Sequence, residues 1–224
     1  MVGLRKFRTL DPTRHNPAVG KLYGKEPSLG RLLIVGMSHY GGDYVKWARF
    51  THDIVGEVIN GERRISYYTK IASLFCDEKE RPFSPRDFYT QIAFYNFLPD
   101  VFRVGQRVEK EQWLNPDAQQ FFFRVVDYVK PQRVLITGEQ LWRALPSRIP
   151  GAHGARRVRE DGTDLYVPFG GDDRECCLYS VEGAEDCLVG AITHPSTKKF
   201  NQNRADISDW VQKFMKWTKR VPGA

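Results

Sequence analysis

Short apolar runs that alternate with helical patterns are the feature that most constrains this fold. Each run is continuous, and each is followed by glycine, proline or polar residues. The runs occupy residues 32–36, 91–98, 134–138 and 188–192. Continuous apolar runs of this length are typical of strands that are buried on both faces of a parallel sheet. Between them, apolar residues recur at helical spacing in residues 43–59 and 116–129. This order predicts a three-layer α/β/α sandwich with a mostly parallel central sheet.

The length of 224 residues suits a single domain that covers residues 1–224. Residues 146–183 differ from the rest, since they are rich in glycine, arginine and aspartate. Two short β-like pieces, residues 165–167 and 177–179, lie within this stretch. We therefore predict β-hairpins inserted between two strands of the core sheet.

The charge of the chain favours a polyanionic partner. Lys and Arg number 34 against 27 Asp and Glu, a formal net charge of +7. Such an excess favours phosphate contacts of the kind that nucleic acids offer, although many basic proteins bind no nucleic acid. No apolar run approaches the ~20 residues of a membrane span, and the N-terminus lacks the apolar region of a signal peptide. We expect a cytoplasmic protein with no membrane partner.

The cysteine pattern predicts neither a metal site nor a cofactor. The chain contains four cysteines, and no two of them form a C-x-x-C pair. They are Cys76, Cys176, Cys177 and Cys187. Two adjacent cysteines are poorly placed to share a tetrahedral metal, so we expect all four to stay reduced.

Ligands of parallel sheets bind beyond the carboxyl ends of the strands, so the polar residues there are the candidate site. They are Ser38, His39, Tyr40, Asn96, Glu139, His194 and Ser196. Residues 36–42 add glycines that allow a backbone to approach a ligand closely. Asn96 offers one acceptor and two donors, enough to read the edge of a base, although an asparagine there also suits a turn.

The segment from His194 to Phe200 combines groups that suit a DNA site. A histidine can donate a hydrogen bond to an oxygen that gains negative charge in a transition state. Ser196, Lys198 and Lys199 could hold backbone phosphates, and Phe200 could insert between bases. The alternative is an ordinary surface loop that begins with a histidine at the end of a strand.

These three segments, in this order, resemble the uracil-DNA glycosylase superfamily. Residues 36–40 occupy the position of the family's first motif, and Asn96 ends an apolar strand as the family's base-reading asparagine does. Residues 194–196 match the family's H-P-S motif residue for residue. The resemblance spans residues 30–145 and 186–215. An altered first motif with an insertion is similar to superfamily members that remove bulky phage bases such as glucosylated hydroxymethylcytosine.

The resemblance implies a role for each matching residue. Asn96 would bind the Watson–Crick edge of a flipped base, and His194 would stabilise the departing base at its O2 while the sugar becomes an oxocarbenium ion. Tyr40 would lie near C5 of the base, and Phe50 would stack on it, unless Phe50 is simply part of a helical core. The remaining candidates for base contact are Met37 and, as the alternative stacking residue, Trp47.

The first motif departs from the family at the residue that orients water. Ser38 stands where the family has Asp or Asn, and His39 replaces the usual proline. A neutral hydroxyl is a poor general base, so His39, with an ordinary pKa near 6.5, is the nearest substitute. Asp43 and Glu139 are carboxylates that the fold could bring to the same place.

We therefore expect a monofunctional DNA glycosylase that works as a monomer without a cofactor. It would flip out a uracil-like, damaged or modified base and hydrolyse its N-glycosidic bond, leaving an abasic site, in DNA repair or antiviral defence. A non-catalytic nucleic-acid-binding module on the same fold is the alternative. A hydrolase with Ser38 as nucleophile ranks last, because the chain lacks a G-x-S-x-G turn.

Overall fold

A seven-stranded sheet forms the centre of the fold. The computed structural model describes residues 3–6, 8–40, 48–76, 84–103, 106, 108–145, 156–157, 176–180 and 187–216. The strands are β1 (Ala18–Val19), β2 (Leu32–Gly36), β3 (His39–Tyr40), β4 (Ala93–Asn96), β5 (Val101–Phe102), β6 (Arg133–Thr137), β7 (Arg156–Arg157), β8 (Cys176–Ser180) and β9 (Cys187–Ile192). The order across the sheet is β1-β4-β2-β6-β9-β8-β7. Strands β4, β2, β6 and β9 are parallel, whereas β1, β8 and β7 pair antiparallel at the edges. The predicted mostly parallel sheet is confirmed.

Helices flank this sheet. They are α1 (Phe50–Asn60), α2 (Ser66–Ala72), α3 (Pro85–Gln91), α4 (Lys110–Trp113), α5 (Pro116–Val129), α6 (Glu139–Ala144), α7 (Lys198–Gln202) and α8 (Arg204–Lys216), with a 3-10 turn at Ser73–Phe75. Helix α5 has the predicted bounds, because the Asn115 side chain accepts from the N–H of Asp117 and Pro116 opens the first turn. Among the described residues, no helix is long and apolar enough to cross a membrane.

The predicted helix over residues 43–59 is wrong at its start. Helix α1 begins at Phe50, and residues 48 and 49 form a turn. The carbonyl of Ala48 accepts from the backbone N–H of Asn16 at 2.9 Å and from its side chain at 3.2 Å. Asn16 thus anchors the turn that directly precedes α1. Asp43 and Trp47 lie outside the described residues.

Alternate residues of β2 face two separate hydrophobic clusters. Leu32 and Ile34 contribute to a cluster that includes residues of α1, α3 and α8. Leu33 and Val35 contribute to another that includes residues of α5 and α6. Since successive strand residues point to opposite faces, helices pack against both faces of the sheet. This arrangement is compatible with a three-layer sandwich.

The stretch predicted to contain hairpins supplies the antiparallel edge of the sheet. Strand β8 pairs with β9 at Leu178↔Leu188, and β7 pairs with β8 at Arg157↔Tyr179. The predicted strand at residues 177–179 is confirmed, and the one at residues 165–167 lies outside the described residues.

Helix α8 packs closely on the sheet at Gly190, and a substitution there tests this packing. A β-carbon on Gly190 would lie 2.7 Å from Trp210 Cη2, 3.0 Å from Cys176 Sγ and 3.0 Å from Phe214 Cε2. Because these neighbours are fully buried, we expect Gly190→Ala to lower the free energy of unfolding by about 1–3 kcal/mol. Urea denaturation followed by circular dichroism measures the change. Gln120→Ala, on the exposed face of α5, is the control; an equal midpoint for both variants would contradict this packing.

Candidate functional site

A cavity of about 520 Å³ opens at the carboxyl ends of the parallel strands. It brings together the three predicted segments, since Ser38, Asn96 and His194 all line it. Its wall is largely aromatic or aliphatic, formed by Met37, Tyr40, Phe50, Ile54, Ile65, Tyr67, Tyr68 and Phe94. Its other polar groups come from His39, Arg63, Gln106 and Ser196. A few polar groups in an apolar wall are typical of a site for an organic ligand.

Asn96 lies at the end of β4, directly opposite Gly36 of β2. The residue is 4% exposed, and its amide nitrogen Nδ2 is 2.9 Å from His39 Nε2. A β-carbon on Gly36 would overlap Asn96 Oδ1 and would lie 2.9 Å from the hydroxyl oxygen of Tyr67. Glycine at position 36 therefore leaves the space that the Asn96 carboxamide occupies.

His194 follows β9 and is fixed as a neutral hydrogen-bond donor. Its Nδ1 accepts the backbone N–H of Ser196 at 3.2 Å, so the proton of the neutral ring lies on Nε2. Burial, together with the nearby ammonium of Lys70, lowers the pKa of His194 to about 4. At neutral pH the ring therefore offers an N–H donor without a positive charge.

Two residues of α2 that the sequence analysis missed support His194. The Tyr67 ring packs against the His194 ring with centroids 5.4 Å apart. The Tyr67 hydroxyl donates to Thr137 Oγ1 at 2.7 Å, because that hydroxyl in turn donates to the carbonyl of Val35 at 3.0 Å. Lys70 Nζ donates to the carbonyl of Pro195 at 3.0 Å. Their i,i+3 spacing, which places them on one face of a helix, was the signal in the sequence.

His39 is buried and hydrogen-bonded, which corrects its expected role as the base that activates water. The residue is 6% exposed, and its ring packs edge-on against the rings of His15 and Phe50, with centroids 4.9 and 4.4 Å away. Burial, together with His15 and Arg63, holds the pKa of His39 well below its ordinary value, so the ring is neutral. Nε2 already has Asn96 and the Thr51 hydroxyl at 2.9 Å each, leaving that nitrogen no free lone pair for water.

The described part of the cavity wall contains no carboxylate. Ser38 lines the cavity, and its hydroxyl is buried with no hydrogen-bond partner among the described residues. Asp43 lies outside those residues. Glu139 does not line the cavity: it is exposed and pairs with Lys199 at 2.8 Å, an interaction that lowers the pKa of Glu139. Ser38 is therefore the described group best placed to hold a water by a hydrogen bond.

The described residues that were expected to contact a base, Met37, Tyr40, Phe50 and Asn96, line the cavity. Tyr40 is 38% exposed, and its ring centroid lies 6.1 Å from that of Phe102. Phe50 is buried, with its ring against His39, and Met37 is half-buried. Phe50 also belongs to the core cluster that includes α1. Its position is therefore compatible both with stacking on a base and with a purely structural role in the core.

The expected DNA-wedging role of Phe200 is wrong, because its side chain is fully buried. The ring belongs to the core cluster, and Lys70 Nζ lies 5.9 Å from its centroid. Thr197 caps α7 by accepting the N–H of Phe200, so the first turn of α7 holds this ring inside the fold. Lys198 and Lys199 are exposed at the same turn, and Ser196 is exposed on the cavity wall.

No protein-family model and no curated protein matches this chain. In the part of the chain that the structure describes, no group of three or more His, Cys, Asp or Glu side chains is placed to hold a metal ion.

The neutral state of His194 can be tested by titration. We expect its ring to titrate near pH 4 in the free protein, as followed by the NMR shifts of its ring nitrogens. Between pH 6.5 and pH 4 the unfolded chain binds a proton at this site and the folded chain does not, so its contribution lowers the free energy of unfolding as the pH falls. Lys70→Met, which removes the nearby cation, should raise the pKa. A midpoint near 6.5 in the wild-type protein would contradict this environment.

Proposed function

We propose that this chain is a monofunctional DNA glycosylase related in mechanism to the uracil-DNA glycosylases. It accepts one nucleotide flipped out of the duplex, hydrolyses the bond between base and sugar, and leaves an abasic site. The observation that carries the proposal is that Asn96 and a neutral His194 line one aromatic cavity at the carboxyl ends of the sheet.

His194 stabilises the leaving base in this mechanism. When the C1′–N bond breaks, its electron pair stays with the base, and negative charge develops on the base oxygens. The Nε2–H of His194 donates to such an oxygen. This hydrogen bond becomes stronger as negative charge develops on the oxygen, so it stabilises the transition state more than the bound substrate. Water then adds its oxygen to C1′ of the cationic sugar and releases one proton, while the base takes up one.

Leaving-group stabilisation carries most of this catalysis. Ser38 can orient the water through its buried hydroxyl, but a hydroxyl cannot balance the positive sugar as a carboxylate does. A dissociative reaction tolerates this, because the sugar cation forms before water attacks. Ser38 is accordingly assigned to water positioning and His194 to the departing base.

The rim of the cavity suits the DNA backbone. Ser196 lines the cavity and is exposed, and Lys198 stands exposed at the start of α7, two residues further along the chain. Lys198 has no acidic partner among the described residues, whereas Lys199 is paired with Glu139. Together with the net charge of +7, this supports a DNA path in which Lys198 contacts a backbone phosphate near the flipped nucleotide.

The cavity is large enough to hold a base that carries a substituent. About 520 Å³ lies within the roughly 300–1,000 Å³ of pockets that hold drug-sized ligands. By size alone, the cavity admits uracil, a damaged pyrimidine or a larger modified base of phage DNA, including glucosylated hydroxymethylcytosine. Repair and antiviral defence are both served by this chemistry.

A base-release assay tests the function. We expect strand breakage after alkali on at least one DNA from a panel containing uracil, hypoxanthine, 5-hydroxymethyluracil, or unmodified and glucosylated phage DNA. Because His194 supplies the transition-state donor, His194→Ala should slow base release by about 10²–10³-fold and leave DNA affinity almost unchanged. Gln120→Ala, on the exposed face of α5, serves as the control. Tight binding without breakage on every substrate would instead favour a non-catalytic binding module.

A substitution at Lys198 tests the proposed path of the DNA backbone. Since one phosphate contact is lost, Lys198→Gln should weaken binding to all sequences and lower the slope of log K against log salt by about 1. Fluorescence anisotropy over a range of salt concentrations measures both effects. Lys25→Gln removes the same charge from an exposed turn before β2, at the opposite end of the sheet. Equal slopes for the two variants would contradict backbone binding at α7.

A further inference from the structure

We propose that His39 is a positioning residue that sets the direction of the Asn96 carboxamide, and thereby selects bases that present an N–H beside a keto oxygen. The inference rests on the proposed glycosylase function and deepens it. It assigns base selection to a residue that does not itself have to touch the base.

The contact between the two side chains has only one possible direction. Asn96 Nδ2 lies 2.9 Å from His39 Nε2, and an amide nitrogen donates but does not accept. His39 Nε2 must therefore be the acceptor, with the proton of the neutral ring on Nδ1. The hydroxyl of Thr51, also 2.9 Å from Nε2, can donate to the same nitrogen.

His39 is held rigidly enough to impose this direction. Its ring is packed between His15 and Phe50, and Thr51 is fully buried on α1. Turning the Asn96 amide over would set its acceptor oxygen against the lone pair of His39 Nε2, so the reversed orientation is unfavourable. The orientation of Asn96 is thus fixed before any ligand binds.

The oxygen end of the carboxamide lies near Tyr67, the residue whose ring packs against His194. A β-carbon on Gly36 would meet both Asn96 Oδ1 and the Tyr67 hydroxyl, so these two oxygens lie on the same side. The Tyr67 ring in turn packs against His194. Among the described residues Oδ1 has no hydrogen-bond partner, so it is available to a ligand.

This order matches one kind of base edge. A pyrimidine with its O2 at His194 presents N3 next and then the group at position 4. Asn96 then offers Oδ1 as acceptor to N3 and its second Nδ2 hydrogen as donor to position 4. Uracil and 5-substituted uracils have N3–H and O4, which fit. Cytosine and its derivatives have an acceptor at N3 and a donor at position 4. In this orientation, Asn96 Oδ1 would face another acceptor, and Nδ2 would face another donor.

The direct test is an NMR experiment on the free protein, independent of activity. We expect a scalar coupling across the hydrogen bond between Asn96 Nδ2 and His39 Nε2, with the Nε2 shift of an unprotonated ring nitrogen. A protonated Nε2, or no coupling, would overturn the proposal.

The functional test compares base release from DNA containing uracil and 5-hydroxymethylcytosine. His39→Met removes the acceptor and should lower the uracil-to-cytosine ratio of kcat/KM by roughly ten- to hundredfold. His39→Gln, which can again accept near the position of Nε2, should restore much of the ratio. Gln120→Ala, on the exposed face of α5 and outside the cavity, leaves this hydrogen bond intact and should leave the ratio unchanged. A ratio that His39→Met does not move would overturn the proposal.

Failure of the underlying function is distinguishable from failure of this inference. If the wild-type protein releases no base from any DNA, the glycosylase proposal falls. The same variants are then compared by their affinity for DNA with a uracil or a cytosine in a mismatch. A uracil preference that disappears in His39→Met supports the role of His39, and a preference that persists overturns it.

Discussion

The register between β2 and β4 is the constraint on which the whole site depends. It sets Gly36 opposite Asn96, and hydrogen bonds from Phe97 to Gly36 and from Leu98 to Met37 continue the pairing beyond both strands. A shift by one residue would turn Asn96 to the other face of the sheet and place an aromatic side chain at the cavity. Only with this register can the carboxamide occupy the space that glycine leaves and reach His39.

Two neutral histidines define the polarity of the cavity. His194 presents a donor at one end, and His39 offers an acceptor to Asn96 at the other. Burial keeps both rings uncharged, and a low-dielectric wall strengthens the hydrogen bonds made inside it. The site is thus suited to distinguish ligands by their pattern of donors and acceptors rather than by their charge.

Helix α2 links the core of the protein to the loop that carries His194. Tyr67 connects that ring to Thr137 at the end of β6, and Lys70 binds the carbonyl of Pro195 while its ammonium lies near the Phe200 ring. The histidine is therefore positioned by a helix as well as by the strand before it. In the proposed reaction, Tyr67 and Lys70 would orient His194 without performing any chemistry themselves.

The sequence by itself determined the central strands, helix α5 and the edge of the sheet at which polar residues gather. These features follow from the spacing of apolar residues that are close together in the chain. It also identified Ser38, Asn96 and His194 as residues of one site. Only the tertiary structure decided that Phe200 points inward, that α1 begins at Phe50 and that His39 faces Asn96. These outcomes depend on partners far apart in the chain: His39 and Asn96 are 57 positions apart, and Lys70 and Pro195 are 125 positions apart. Local patterns specify which face of a helix or strand is buried. The path of the intervening chain determines which distant side chains pack against that face.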